Sequence, residues 1–405
     1  MKQYLLNKIF SQQNRGKKYS LTLVSQAFSQ MNINIDPQKI ILITGTNGKG
    51  TTSCILMKLL LSTGQKTGLF TSPHLVDITE RIKINDTPIS HDALERTYDK
   101  LHEHIAHLSG FEKLTLCAID YFFVQHKVDY AIFEIGCGGT LDATNILPHN
   151  TSVITSIALD HQHILGTSLQ EIAHNKFGIV RDGNSVICST QAAQFLHYSQ
   201  NPTCRYLIAD EYKLFFQQPD FILQCKYGTI TLPLPGHRAA QNCMTALKTF
   251  EELGYQPQEH LLAIQRTKWR GRMEQVTITY DKPETVWLSG DHNVSGIQSM
   301  LDILAFFQYQ TVHFIVGLQE DKEYNDIIDL LIRFPRSKVY LSYAPHNNNE
   351  IHTKARTYFG KYQHLFTQDI DQCIQKAIST KNEGDMVVIT GSLYLIGYLI
   401  QKYSL

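Results

Sequence analysis

The stretch Ile40-Ile-Leu-Ile-Thr-Gly-Thr-Asn-Gly-Lys-Gly-Thr-Thr52 constrains this chain more than any other. A largely β-branched apolar run ends in glycines, a lysine and hydroxyls, and then enters a helical pattern at Ser53-Cys-Ile-Leu-Met-Lys. That order predicts a buried strand, a tight loop and a helix N-terminus. Successive backbone N–H groups in such a loop form a concavity for anionic oxygens, and the helix end adds positive charge. Gly45, Thr46, Asn47, Gly48, Lys49, Gly50, Thr51 and Thr52 are therefore candidate phosphate contacts. Lys49 is placed to reach the outer phosphates and Thr51 to offer a hydroxyl to magnesium.

The rest of the chain reads as alternating strands and helices. Apolar runs at 68–71, 128–135, 152–157 and 185–188 predict strands, and helical spacing appears at 18–31, 91–108 and 114–126. Such alternation implies a mostly parallel sheet with right-handed crossovers. Residues 204–232 read instead as short β runs of a small antiparallel patch, followed by helices at 240–253 and 257–266. After Arg272 the alternation restarts. Strands are expected near 286–289, 312–317, 337–342 and 385–390, with helices near 294–307, 322–333, 350–358 and 368–379. The hinge is expected within Arg266–Met273.

Composition narrows the class. Lys+Arg and Asp+Glu both number 37, so charge gives no reason to expect nucleic acid or an anionic membrane as partner. No apolar stretch is long enough to span a bilayer, and the first residues lack a signal-peptide pattern. The eight cysteines form no C-x-x-C pair, which signals neither zinc nor a redox couple. A cytoplasmic protein is expected.

Several further stretches carry chemistry. Phe133-Glu-Ile-Gly-Cys-Gly-Gly139 ends a strand with an acid, where open α/β sheets bind ligands. Glu134 is a carboxylate suited to magnesium, which takes oxygen ligands. With Thr71-Ser-Pro-His-Leu75, Glu80-Arg-Ile82, Leu141-Asp-Ala-Thr-Asn145, Leu159-Asp-His161 and Asn175-Lys-Phe-Gly178, the loop G-T-N-G-K-G-T resembles the Mur ligase superfamily. Within it, the chain resembles the folylpolyglutamate synthases and dihydrofolate synthases. Trp269-Arg-Gly-Arg-Met-Glu274, Leu288-Ser-Gly-Asp-His-Asn293 and Thr390-Gly-Ser392 extend the resemblance to residue 398.

The resemblance implies a fold, a reaction and a set of residues. The fold is α/β: a P-loop-type, mostly parallel sheet domain with a small antiparallel patch, plus a smaller Rossmann-like α/β domain. Residues 1–272 would be the ATP-binding domain and 273–405 the glutamate ligase domain. The reaction would be ATP-dependent addition of L-glutamate to dihydropteroate, a folate, or both, through an acyl phosphate, by a monomer. Thr51, Ser72, Glu134 and His161 would hold two magnesium ions. Ser72, Pro73, His74, Asp160 and Ser392 would contact substrate. Asn242, Arg272, Ser289, Asp291 and His292 would contact ATP. Lys49, His161, Lys176 and Arg272 would be catalytic, with Lys176 where many such ligases carry a carbamate.

The chain departs from the family pattern at several positions. Thr140 stands for arginine, Phe177 for alanine and Arg270 for proline; Arg238 and Ala239 stand for a His-Gln pair; Ser289, Asp291 and Val294 stand for aspartate, alanine and proline. Two other readings therefore stay open at this stage. One is a Mur-type ligase with a different carboxylate acceptor. The other is a nucleotide-binding protein that does not ligate.

Overall fold

A computed structural model describes residues 2–10, 20–199, 201–279, 282–318, 324–344, 360–367 and 369–405. The helix expected at 350–358 lies outside the described residues. The chain divides into two compact units. The first comprises Met1–Ala158, Gln162–Pro233 and Arg238–Lys268; the second comprises Leu159–His161, Leu234–His237 and Trp269–Leu405.

The first unit is built on an eight-stranded sheet. Its strands are β1 (Ile40–Thr44), β2 (Thr67–Phe70), β3 (Ile82–Ile84), β4 (Thr87–Pro88), β5 (Tyr130–Glu134), β6 (Thr151–Ile154), β7 (Ser185–Cys188) and β8 (Arg205–Ile208). The order is β4-β3-β2-β5-β1-β6-β7-β8. From β2 to β8 every neighbouring pair is parallel, and β3 and β4 add an antiparallel edge. All residues of β1, β2 and β6 are buried, as a sheet covered on both faces requires. One core joins Leu42, Phe70, Phe122, Ala131 and Phe133 with Leu5 and Ile9 of the Lys2–Phe10 helix.

Arg205–Ile208 was expected in the antiparallel patch, but it pairs parallel with β7 as an edge strand of the main sheet. The patch itself is β9 (Tyr212–Gln217), β10 (Asp220–Cys225) and β11 (Gly228–Thr231), in antiparallel order β11-β10-β9. The β3–β4 hairpin was not foreseen, because its strands are only three and two residues long.

The second unit carries β12 (Arg272–Thr279), β13 (Pro283–Ser289), β14 (Val312–Leu318), β15 (Ser337–Tyr343) and β16 (Met386–Thr390), ordered β12-β13-β16-β14-β15. β12 runs antiparallel to β13 at the edge, and the other pairs are parallel. β12 lies outside the expected strands because its exposed and covered residues alternate, leaving no continuous apolar run. The helices Val294–Leu304, Tyr324–Arg333 and Ile370–Ser379 follow the expected spacing, and Leu393–Tyr403 is an additional one.

His149 shows how burial couples this fold to pH. It is 4% exposed, with Nδ1 3.0 Å from Leu147 O and Nε2 2.9 Å from Ile179 O. Burial, offset in part by these bonds, lowers its pKa from 6.5 to about 4. The unfolded chain therefore binds the proton first, so stability is highest above pH 6.5 and falls between pH 6.5 and 4. This one residue costs on the order of 3 kcal/mol by the acid end of that window. Thermal denaturation followed across the window should give a shallower loss for His149→Gln than for the native chain.

Candidate active site

Four loops of the first unit leave the carboxyl ends of adjacent parallel strands and therefore meet at one edge of its sheet. They follow β1, β2, β5 and β6. The first is the glycine-rich loop. Gly48 precedes the Lys49–Ser62 helix with φ of 90°, and Gly45 has φ of 149°. A Cβ on Gly48 would lie 2.2 Å from Asn242 Oδ1, so a glycine here lets Asn242, itself 5% exposed, approach the loop backbone.

The loop does not hold its own shape. Thr46 N donates to Ser156 O at 2.8 Å, and Asn47 N donates to Ser156 Oγ at 2.8 Å. Thr155 Oγ1 donates to Asn47 O at 2.7 Å, and Ala158 N donates to Thr46 Oγ1 at 3.0 Å. Thr155 and Ser156 were not singled out in the sequence, where they read only as the end of a strand. Lys49 Nζ donates to Gly45 O at 2.9 Å and Thr46 O at 3.2 Å, which keeps the ammonium at the loop. Thr51 and Thr52 lie buried in the first helical turn.

Glu134 ends β5 and is 5% exposed. Its Oε2 accepts from Ser72 N at 3.1 Å, so the loop after β2 is tied to this carboxylate. The peptide bond Ser72–Pro73 is cis. His74 Nδ1 accepts from Arg81 Nε at 2.9 Å. Burial first, and the Arg81 guanidinium second, hold the His74 pKa down at about 4, so the ring is neutral near pH 7.

Thr51, Ser72 and Glu134 offer hydroxyl and carboxylate oxygens, the donor class that magnesium prefers. Among the described residues no three His, Cys, Asp or Glu side chains gather as a metal cage. Magnesium suits such a donor set, because it commonly keeps waters and takes ligands from a bound phosphate.

The Gly136–Gly139 turn after β5 is braced from behind. Cys137 N donates to Asp142 Oδ2 at 3.0 Å, and Asn145 Nδ2 donates to Thr140 O and Gly178 O, both at 3.1 Å. Thr140 N and Oγ1 both donate to Asn175 O at 3.0 Å. These bonds fix the turn to the end of the Leu169–Phe177 helix, where Lys176 is 3% exposed. Phe177, unexpected for its bulk, packs with Ile154, Ile172 and Val186 in a separate apolar cluster, and Lys176 keeps its burial beside it.

The second unit gathers the remaining candidates. Arg272 pairs in register with Ser289. Ser289 Oγ donates to Asp291 Oδ2 at 2.6 Å, and Asp291 O accepts from Gly391 N at 2.9 Å. Asp160 Oδ2 accepts from Asn293 Nδ2 at 2.8 Å and lies 3.6 Å from His292 Nε2. His161, with φ of 48°, has its Nε2 3.9 Å from Asp160 Oδ1. Ser392 is 2% exposed and caps the last helix, accepting from Tyr394 N at 3.1 Å.

The sequence and the fold both match known proteins. Residues 43–250 match the family described as Mur ligase middle domain, and residues 271–393 match Mur ligase, glutamate ligase domain. A Bacillus subtilis (strain 168) protein named dihydrofolate synthase/folylpolyglutamate synthase is 28% identical, over 87% of this chain and 88% of its own. A crystal structure of a bifunctional folylpolyglutamate synthase/dihydrofolate synthase from Yersinia pestis, complexed with AMPPNP and Mn ion, matches with TM-score 0.81 at 25% identity. It covers 99% of this chain and 97% of that one. A further structure of such an enzyme, with Mn, AMPPNP and L-glutamate bound, has the same TM-score of 0.81, identity of 25% and coverage of 99% and 97%.

Gly48→Ala tests the loop geometry. A left-handed alanine costs roughly 1–2 kcal/mol, and its methyl would also displace Asn242. ATP affinity measured by calorimetry should fall at least about tenfold with the fold intact by circular dichroism.

Proposed function

This chain belongs to the Mur ligase family, and from that premise we infer an ATP-dependent ligase that joins L-glutamate to dihydropteroate or a reduced folate. The observation that carries the reading is the meeting of four loops at one sheet edge. They bring the phosphate loop, the Glu134 carboxylate and the Ser72–His74 segment to a common place.

The acceptor's carboxylate attacks the γ-phosphorus of ATP, ADP leaves, and an acyl phosphate forms. The glutamate amine then attacks the acyl carbon, loses a proton and displaces inorganic phosphate as the amide forms. Phosphoryl transfer of this kind is mostly positioning and charge stabilisation. With the Thr46 and Asn47 amides held by Ser156, the loop cradles the phosphates through the amides that follow, at Gly48 and Lys49. Lys49 turns its ammonium from Gly45 O and Thr46 O to the outer phosphate oxygens. Arg272 adds a planar, permanently charged donor to the terminal phosphate. Asn242 and the Ser289–His292 turn contact the nucleoside, and Ser392 contributes to the glutamate pocket. His74, neutral and oriented by Arg81, borders the acceptor.

Magnesium, when bound, neutralises charge on the phosphate and carboxylate oxygens. Thr51, Ser72 and Glu134 would hold one ion and His161 a second. Lys176 would carry a carbamate, an anion formed when its neutral amine adds carbon dioxide. Residues 1–272 would supply the nucleotide and acceptor sites and 273–405 the glutamate site, in a cytoplasmic monomer.

ADP release, measured with L-glutamate plus either dihydropteroate or tetrahydrofolate against a blank, tests the reaction. Release with at least one acceptor, abolished by Lys49→Ala, is expected. No release above blank with either would overturn the assignment. Lys176→Ala should slow turnover at least about tenfold, and a short carboxylic acid should restore part of it. A full loss without any rescue would argue for an unmodified lysine.

A further inference from the structure

Arg272 stands at an irregularity of its strand. Glu274 pairs with Leu288, yet Arg272 pairs with Ser289, so Met273 is one residue too many for the ladder. It forms a bulge, with φ of 50° at a non-glycine, buried residue. The register consequence is simple. Residues opposite each other on paired strands share a face, and Leu288 and Ser289 face opposite ways. Without the extra residue, Arg272 would fall on the Glu274 and Leu288 face. With it, Arg272 shares the face of Ser289.

A left-handed methionine is held there by what surrounds it. Glu274 reaches back over the bulge: its Oε2 accepts from Gly271 N at 2.8 Å and its Oε1 from Arg270 Nε at 2.9 Å. Arg270 Nη1 also donates to the main-chain oxygen of Leu405 at 2.8 Å. Gly271, itself at φ of 68°, has its carbonyl bonded to Gly290 N at 2.7 Å. Both hydrogen-bonding groups of the residue before Arg272 are thus pinned.

We propose that Arg270 and Glu274 are positioning residues for Arg272: they hold the bulge at Met273 that turns the guanidinium to the face of Ser289. Where the family pattern has a proline, whose ring restricts the backbone covalently, this chain restrains the same turn with an ion pair. The proposal rests on the reading of Arg272 as a nucleotide contact. A pair as exposed as this one, with Arg270 at 39% and Glu274 at 26%, contributes little to stability. Its removal should therefore show in ligand affinity rather than in melting temperature.

The test is a double-mutant cycle on the full chain, reading ATP affinity by calorimetry with magnesium present, and Tm. Arg272→Ala and Glu274→Ala should each weaken ATP binding, the second by about tenfold, and Arg270→Ala should act in the same direction. The double variant Arg272→Ala/Glu274→Ala should bind no more weakly than Arg272→Ala alone, with Tm of Glu274→Ala close to native. Multiplying effects, or native affinity in Glu274→Ala, would overturn the positioning role. Should Glu274→Ala unfold, Glu274→Gln takes its place: it keeps an acceptor for Gly271 N but loses the charge facing Arg270. A smaller loss of affinity, absent on the Arg272→Ala background, is then expected, and native affinity would overturn the role of the ion pair. Native affinity in Arg272→Ala would instead overturn the reading of Arg272 itself.

Discussion

The hydrogen bonds between the glycine-rich loop and the segment after β6 are what the first unit's chemistry depends on. A loop that presents backbone N–H groups to an anion cannot satisfy them internally, and glycines in it have freedom to lose. Here Thr155, Ser156 and Ala158 take up its spare donors and acceptors. Because β6 lies beside β1 in parallel register, these three residues are delivered to the loop by the sheet itself. The loop is therefore pre-shaped before any phosphate arrives, and little ordering has to be paid at binding.

The same logic extends outward from β1. Thr44, the last residue of the strand, donates to Gly138 O at 2.6 Å, which ties the turn after β5 to the phosphate loop's root. That turn is in turn bonded to Asp142 and to the helix carrying Lys176. Glu134, Lys49 and Lys176 thus sit on segments that share hydrogen bonds and do not move independently. The neutral state of His74 belongs to this scheme too. Its ring nitrogen must accept from Arg81, and burial removes the competing proton.

The central features were legible because they are local. A β-branched run followed by Gly45, Gly48 and Lys49 announces a strand, loop and helix from chain order alone, and the apolar runs of β5, β6 and β7 announce a buried parallel sheet. What escaped notice depends on partners distant in sequence. Thr155 and Ser156 look like any strand end until β6 is seen beside β1. Arg205–Ile208 has no local sign of whether it pairs with β7 or with β9. β12 is an amphipathic edge strand whose polar residues disguise it, and the bulge at Met273 is a matter of register, which periodicity cannot reveal. The departures at Thr140 and Phe177 also became intelligible only through their neighbours: the first bonds the Asn175 carbonyl, and the second fills an apolar cluster.

Leu159–His161 and Leu234–His237 interrupt the stretch of sequence that builds the first unit yet group with the second. Asp160 gives that unit a carboxylate for Asn293, and Gly236 is packed against Ile303 so closely that a Cβ would come within 2.4 Å of its side chain. A severed carboxyl-terminal piece starting at Trp269 would leave Asn293 without this acceptor and Ile303 without its contact to Gly236. The smaller half of this protein is therefore not a detachable module, and recombining it with a foreign partner would require carrying both short excursions along.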